Sequence, residues 1–235
     1  MENLCFGYKK DSKLIIDNLN LDIRQKKTIS ISGRSGCGKT TLLKLLAGLI
    51  VPDEGRVILD GVDAHKYSDD ELCRHVAYMS NDMPVFRGTI RDNLSAFRDE
   101  GYIQRSIDII KILKADKEIL QLAKGYDTFL VDTHSDPISP GLKQRIAIAR
   151  VLAMKPKLLL FDNADKSLDN KGYEAIVELL GLLKRKATIV IVSDDRNMLE
   201  FANEEYVLEN GKILRQDFKY DSKFYDLVPN QEFKL

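Results

Sequence analysis

The sequence predicts an α/β fold in which a sheet is interrupted by an inserted helical segment, and three observations carry that expectation. LLLF at 158–161 and ATIVIV at 187–192 are short unbroken apolar runs, the pattern of central strands covered on both faces. TISIS at 28–32 alternates and is β-branched, then runs through a glycine-rich turn into the apolar stretch TTLLKLLAGLI, the order strand, turn, helix. Between about 89 and 154, by contrast, the patterns are helical.

Taken in order, the turn after TISIS leads into 40–50, apolar nearly all round and therefore expected as a buried helix. RVILDG at 56–61 reads as a strand ending in a turn. IRDNLSAF, IQRSIDIIKIL, KEILQLA and LKQRIAIARVLAM follow with helical spacing. After the two apolar runs, EYVLENGKIL places Asn210-Gly211 between two strand-like halves, a strong hairpin signal. The sheet core is expected from 1–80 and 155–215 and the helical subdomain from 81–154. The tail at 216–235 is aromatic and charged without a clear period.

At 235 residues the chain is long enough for one large domain with an insertion. Lys plus Arg and Asp plus Glu balance at 36 each, so no global charge points to nucleic acid or anionic lipid. The run Lys184-Arg185-Lys186 reads as a solvated loop. Cys5, Cys37 and Cys73 are odd in number and widely spaced, which suggests reduced thiols. His65, His75 and His134 lack metal-ligand spacing, and His134-Ser135-Asp136 are triad types in the wrong arrangement, because triads meet in space. No run of 18 apolar residues is present, and no secretory signal.

The chemistry lies in Gly33-Arg34-Ser35-Gly36-Cys37-Gly38-Lys39-Thr40, followed by Thr41. This matches G-x-x-x-x-G-K-[ST], a loop whose glycines let backbone N–H groups turn toward phosphate oxygens at a helix start. Lys39 would reach the β and γ phosphates of a nucleotide, and the Thr40 hydroxyl would ligate Mg²⁺. Asp162, delivered by LLLF, fits the second half of such a site, a carboxylate on the metal side.

With these residues in place the chain resembles the nucleotide-binding domain of an ABC transporter, exporter type, over nearly all of its length to about 215. FGYKK places Tyr8 where that family stacks an aromatic ring on adenine. RGTIRDNL, LAKGYDTFL, KQRIAIARVLAMKPKLLLFD and Lys166-Ser167-Leu168-Asp169 resemble further family motifs in the family's order. The resemblance implies a RecA-like P-loop core, an antiparallel β-subdomain and the inserted helical subdomain. It implies ATP and Mg²⁺ as cofactors and, as partners, a second such domain and an exporter's transmembrane domain in the same polypeptide. The location implied is the cytoplasmic face of a bacterial inner membrane. Ser139, Gly141 and Asp169 would meet the nucleotide of the partner domain. The chain begins seven residues before Tyr8, which suggests a fragment of a longer polypeptide.

The departures from the family fall on its catalytic positions. Asn163 stands where the family has a glutamate that orients water, Asn81 where a glutamine senses the γ-phosphate and metal, and Asp194 where a histidine contacts the γ-phosphate. The signature segment reads Ile138-Ser139-Pro140-Gly141-Leu142, and Pro140 removes one N–H from an anion-facing helix start. The loop before it, VDTHSD, lacks the family's pattern. Binding residues are thus kept while cleaving residues are altered, and weak or absent hydrolysis is expected. Two alternatives stay open: an active ATPase with unusual catalytic residues, Asp165 supplying the carboxylate, or a non-transport ABC protein.

Overall fold

The structure, a computed structural model, describes residues 1–9, 13–131 and 136–216. Most of the VDTHSD loop, His134-Ser135 and the tail beyond Gln216 therefore lie outside the described residues. In chain order the elements are β1 (Glu2–Phe6), β2 (Ile16–Leu19), β3 (Thr28–Ser32), α1 (Lys39–Leu46), β4 (Glu54–Arg56), β5 (Ile58–Leu59) and β6 (Val62–Asp63). Then come α2 (Asp69–His75), β7 (Val76–Ser80), β8 (Gly88–Thr89), α3 (Ile90–Ser95), α4 (Glu100–Ile112), α5 (Asp116–Leu120) and β9 (Phe129–Leu130). The rest are α6 (Pro140–Leu152), β10 (Leu158–Asp162), α7 (Asn170–Leu183), β11 (Thr188–Val192), α8 (Arg196–Glu200), β12 (Glu204–Glu209) and β13 (Lys212–Gln216).

The chain divides into two compact units. The first takes Met1–Tyr78, Lys157–Asn163 and the segment from Lys184. Its main sheet has the order β13-β12-β3-β11-β10-β7, with β12 parallel to β3, β3 to β11 and β11 to β10, and β13 closing antiparallel on β12. A small antiparallel sheet, β2-β1-β4, joins it in one apolar core. Leu160, Val190, Val192, Ile29 and Ile31 of the sheet pack there with Leu42, Leu43 and Leu45 of α1. Leu160→Ala removes a side chain that is 0% exposed from a central strand. It is expected to lower stability by about 2–5 kcal/mol, read as a shift of the urea unfolding midpoint.

The second unit takes Met79–Pro156 and Ala164–Leu183. Here α3, α4 and α6 pack on one another, and Ile90, Leu94, Ile109, Leu142 and Ile146 on these helices are essentially inaccessible. The middle of the chain is not wholly helical, because β8 and β9 pair through Gly88 and Leu130. That pair fixes the start of α3, where Ile90 N–H donates to Thr128 O at 2.9 Å and Thr89 with Asp92 forms a capping box.

Three local expectations are refined by the structure. The helix expected over 40–50 ends at Leu46, because Gly48 turns left-handed at φ 68° and ends the ladder. The strand expected over 56–61 is broken after Arg56, and Ile58–Leu59 instead forms a hairpin with Val62–Asp63 across Asp60-Gly61, both at positive φ. The basic run is only partly solvated. Lys184 donates to Phe201 O at 2.7 Å with its ammonium 4.5 Å from the Phe201 ring centre, and burial lowers its pKa.

Candidate functional site

The carboxyl ends of β3, β10 and β11 lie along one edge of a parallel sheet, where such sheets hold ligands. β3 runs into the glycine loop, β10 ends on Asp162 and Asn163 follows, and β11 leads to Ser193 and Asp194.

Gly33 opens the loop at φ 147°, and a Cβ there would sit 2.5 Å from Leu208 O and 2.9 Å from Cys37 Sγ, so only glycine fits. Gly38 is the N-cap of α1 at φ 109°, with no side chain satisfying the first N–H groups of the helix. A helix start left open in this way offers donors and a positive dipole end to an anion. Lys39 Nζ folds back across the loop, donating to Gly33 O at 2.6 Å and Arg34 O at 3.1 Å. Arg34, Ser35 and Gly36 are exposed on the loop, and Cys37 is partly buried within it.

Behind the loop, Thr40 Oγ1 donates to Asp162 Oδ1 at 3.1 Å. The other Asp162 oxygen accepts from the Tyr78 hydroxyl at 2.8 Å. A hydroxyl and one carboxylate suit Mg²⁺, which takes one or two protein oxygens and fills its remaining positions with phosphate and water. Tyr8 is largely exposed, its ring edge-on to Phe6 at 5.0 Å and its hydroxyl 3.3 Å from Thr41 Oγ1. The residues present therefore fit a magnesium–nucleotide pair on local geometry.

Asn163 adopts a left-handed backbone, φ 51°, which asparagine accepts more readily than most residues. Its N–H donates to Val192 O at 2.8 Å, while its side-chain oxygen is buried with no hydrogen-bond partner among the described residues. Asp194 is exposed in the turn that follows β11. The next residue, Asp195, caps α8 by accepting from Asn197 N–H at 2.8 Å.

The second unit carries the other candidate residues. Ser139 caps α6, its Oγ accepting from Leu142 N–H at 3.1 Å with Pro140 in the first turn, an arrangement that suits both residue types. Gly141 faces the backbone of the 166–169 loop, where a Cβ would lie 3.2 Å from Ser167 O. Asp169 Oδ1 accepts from Gly172 N–H at 2.8 Å at the start of α7. Ser167 Oγ donates to Asn81 Oδ1 at 2.8 Å. Asn81, Gly141 and Asp169 thus gather around Ser167.

Two site-adjacent side chains escaped the sequence reading. Tyr78 had only a weak signal, a hydroxyl-bearing ring within VAYMS. Gln144, 3% exposed, donates from Nε2 to Ser80 O at 2.7 Å and Ala164 O at 3.4 Å, bridging two segments far apart in sequence. Its signal was an amide placed among the apolar positions of α6.

The family model described as ABC transporter matches residues 16–166, which include the glycine loop, the 138–142 segment and Asp162. The chain belongs to the ABC transporter family. Its architecture is the ABC ATPase fold. It aligns with the structure of a bacterial Atm1-family ABC exporter with ATP bound at TM-score 0.82 and 29% identity, covering 91% of this chain and 37% of that one. It is 36% identical over 214 residues to the Escherichia coli alpha-hemolysin translocation ATP-binding protein HlyB, covering 91% of this chain and 30% of the relative. It is 34% identical over 230 residues to the Mannheimia haemolytica leukotoxin translocation ATP-binding protein LktB, covering 97% of this chain and 32% of the relative. The chain spans about a third of the length of these two relatives. Among the described residues no helix is long and apolar enough to cross a membrane.

Proposed function

We propose that this ABC chain is the ATP-binding domain of an exporter, one that holds Mg·ATP far better than it cleaves it. The observation that carries this reading is the pairing of Thr40 with Asp162 beside an α1 start that no side chain caps. The binding half is complete: Tyr8 for adenine, Gly33 to Thr41 for the phosphates with Lys39 as their cation, and Thr40 and Asp162 for Mg²⁺. The cleaving half is altered. Asn163 offers an amide where a general base belongs, and a missing base lowers rates by about 10²–10⁴. Asn81 is one methylene shorter than the glutamine expected near the metal. Asp194 would set a carboxylate toward the γ-phosphate, and like charges repel strongly in a partly dry site.

The same reading has two such domains pairing head to tail, identical or not, with Ser139, Gly141 and Asp169 of each reaching the other's nucleotide. The helix cap at Ser139 and the packing of Gly141 on the 166–169 loop support a preformed contact surface. The names of the two relatives, both translocation ATP-binding proteins, support a role in export, and their roughly threefold greater length leaves room for a transmembrane domain in the same polypeptide. That assembly places this domain at the cytoplasmic face of a membrane. Its charge balance favours protein partners and nucleotide over nucleic acid.

Equilibrium binding and steady-state turnover of the isolated chain test the proposal together. Saturable binding of Mg·ATP without sustained phosphate release is the expected result. Sustained turnover of several per minute, abolished in Lys39→Ala, would overturn the impaired-hydrolysis part and leave an active ATPase.

A further inference from the structure

Asp162 is 4% exposed, and a carboxylate that deep needs both oxygens bonded. Thr40 accounts for Oδ1, a pairing that the loop motif anticipates. Oδ2 is met by Tyr78, which belongs to no motif in the sequence and whose hydroxyl approaches to 2.8 Å. Tyr78 lies in β7 on the same side of the unit division as Asp162, and its ring packs against the core that holds Leu160 and Val192. The reach of the hydroxyl is therefore set by packing and not by a mobile side chain.

We propose that Tyr78 is a positioning residue for the divalent cation that accompanies the nucleotide. By holding Asp162 through Oδ2, it turns Oδ1, the oxygen shared with Thr40, toward the cation. The inference rests on the nucleotide-binding reading above and adds a residue to it. The terminal torsion of an aspartate is broad and two-fold, so an untethered carboxylate can exchange its oxygens. A hydroxyl on one of them removes that freedom. Partners of this kind, one shell beyond the metal, typically contribute about 10–100-fold in metal affinity.

Tyr78→Phe keeps the ring and deletes the donor. Binding of a fluorescent ATP analogue to the full 235-residue chain is measured in EDTA and across a Mg²⁺ titration, alongside thermal melting. The Mg²⁺ concentration at half effect should rise about tenfold, while affinity in EDTA and cooperative melting are retained. An unchanged Mg²⁺ midpoint overturns the inference. So does an equal loss of affinity with and without Mg²⁺, which would mean that Tyr78 serves the fold or the nucleotide and not the cation. If the unaltered chain binds no nucleotide in either condition, the nucleotide reading itself fails and this inference with it. A Tyr78→Phe chain that fails to melt cooperatively likewise assigns Tyr78 to the fold and overturns the inference.

Discussion

Lys39→Ala is expected to weaken ATP binding by roughly 10–100-fold, the worth of one or two hydrogen bonds from a charged donor. In the structure the Lys39 ammonium is within reach of two loop carbonyls, Gly33 O at 2.6 Å and Arg34 O at 3.1 Å. Those bonds hold a positive charge over the loop whose N–H groups would take phosphate, so an arriving nucleotide exchanges neutral acceptors for anionic ones. Alanine at the first residue of α1 is a good helix former and leaves the buried leucines behind it untouched. The melting temperature should therefore stay near that of the unaltered chain while affinity falls. Isothermal titration with Mg·ATP checks both the direction and the size, and an unchanged affinity would remove Lys39 from the site.

Asn163→Glu combined with Asp194→His is expected to raise ATP hydrolysis by about 10²-fold or more, the lower end of what a positioned general base contributes. Each single change should raise it less than the pair does, since on the proposed reading one would supply the base and the other would remove a carboxylate from the phosphate side. The structure adds a cost that the sequence did not reveal. Position 163 is left-handed, φ 51°, where glutamate is less comfortable than asparagine by about 1 kcal/mol. The double variant should accordingly melt a few degrees lower while turning over faster. Steady-state phosphate release and a thermal scan on the same samples separate the two effects. If neither the single variants nor the pair alters the rate, the missing groups do not limit hydrolysis, and the Pro140 segment or domain pairing does.

How much of this was legible in the residues follows from how far each signal reaches along the chain. TISIS, the glycine loop and the apolar runs before Asp162 and Ser193 each report on neighbours two to four residues apart, and each forms the expected element. Among the described residues the longest helix, α7, has an apolar face at Ala175, Ile176, Leu179 and Leu180 with helical spacing, a signal overshadowed by the stronger motif at 166–169 that precedes it. The stop at Gly48 and the break after Arg56 depended on single left-handed residues, which a periodic pattern averages away.

The candidate site shows the same division. Residue types and their order placed Gly33 to Thr41, Asp162, Asn163 and Asp194 at the ends of strands, because a loop that cradles phosphate and a strand that delivers a carboxylate are local inventions. Their partners are not local. Asp162 meets Thr40 across 122 residues of chain and Tyr78 across 84, and Asn81 meets Ser167 across 86. Such contacts arise only when separate strands and loops are brought side by side, and no pattern within a few residues encodes that register. The sequence by itself therefore determined which residue types stand at the ends of these strands. Only the tertiary structure decided which neighbours hold those groups in place.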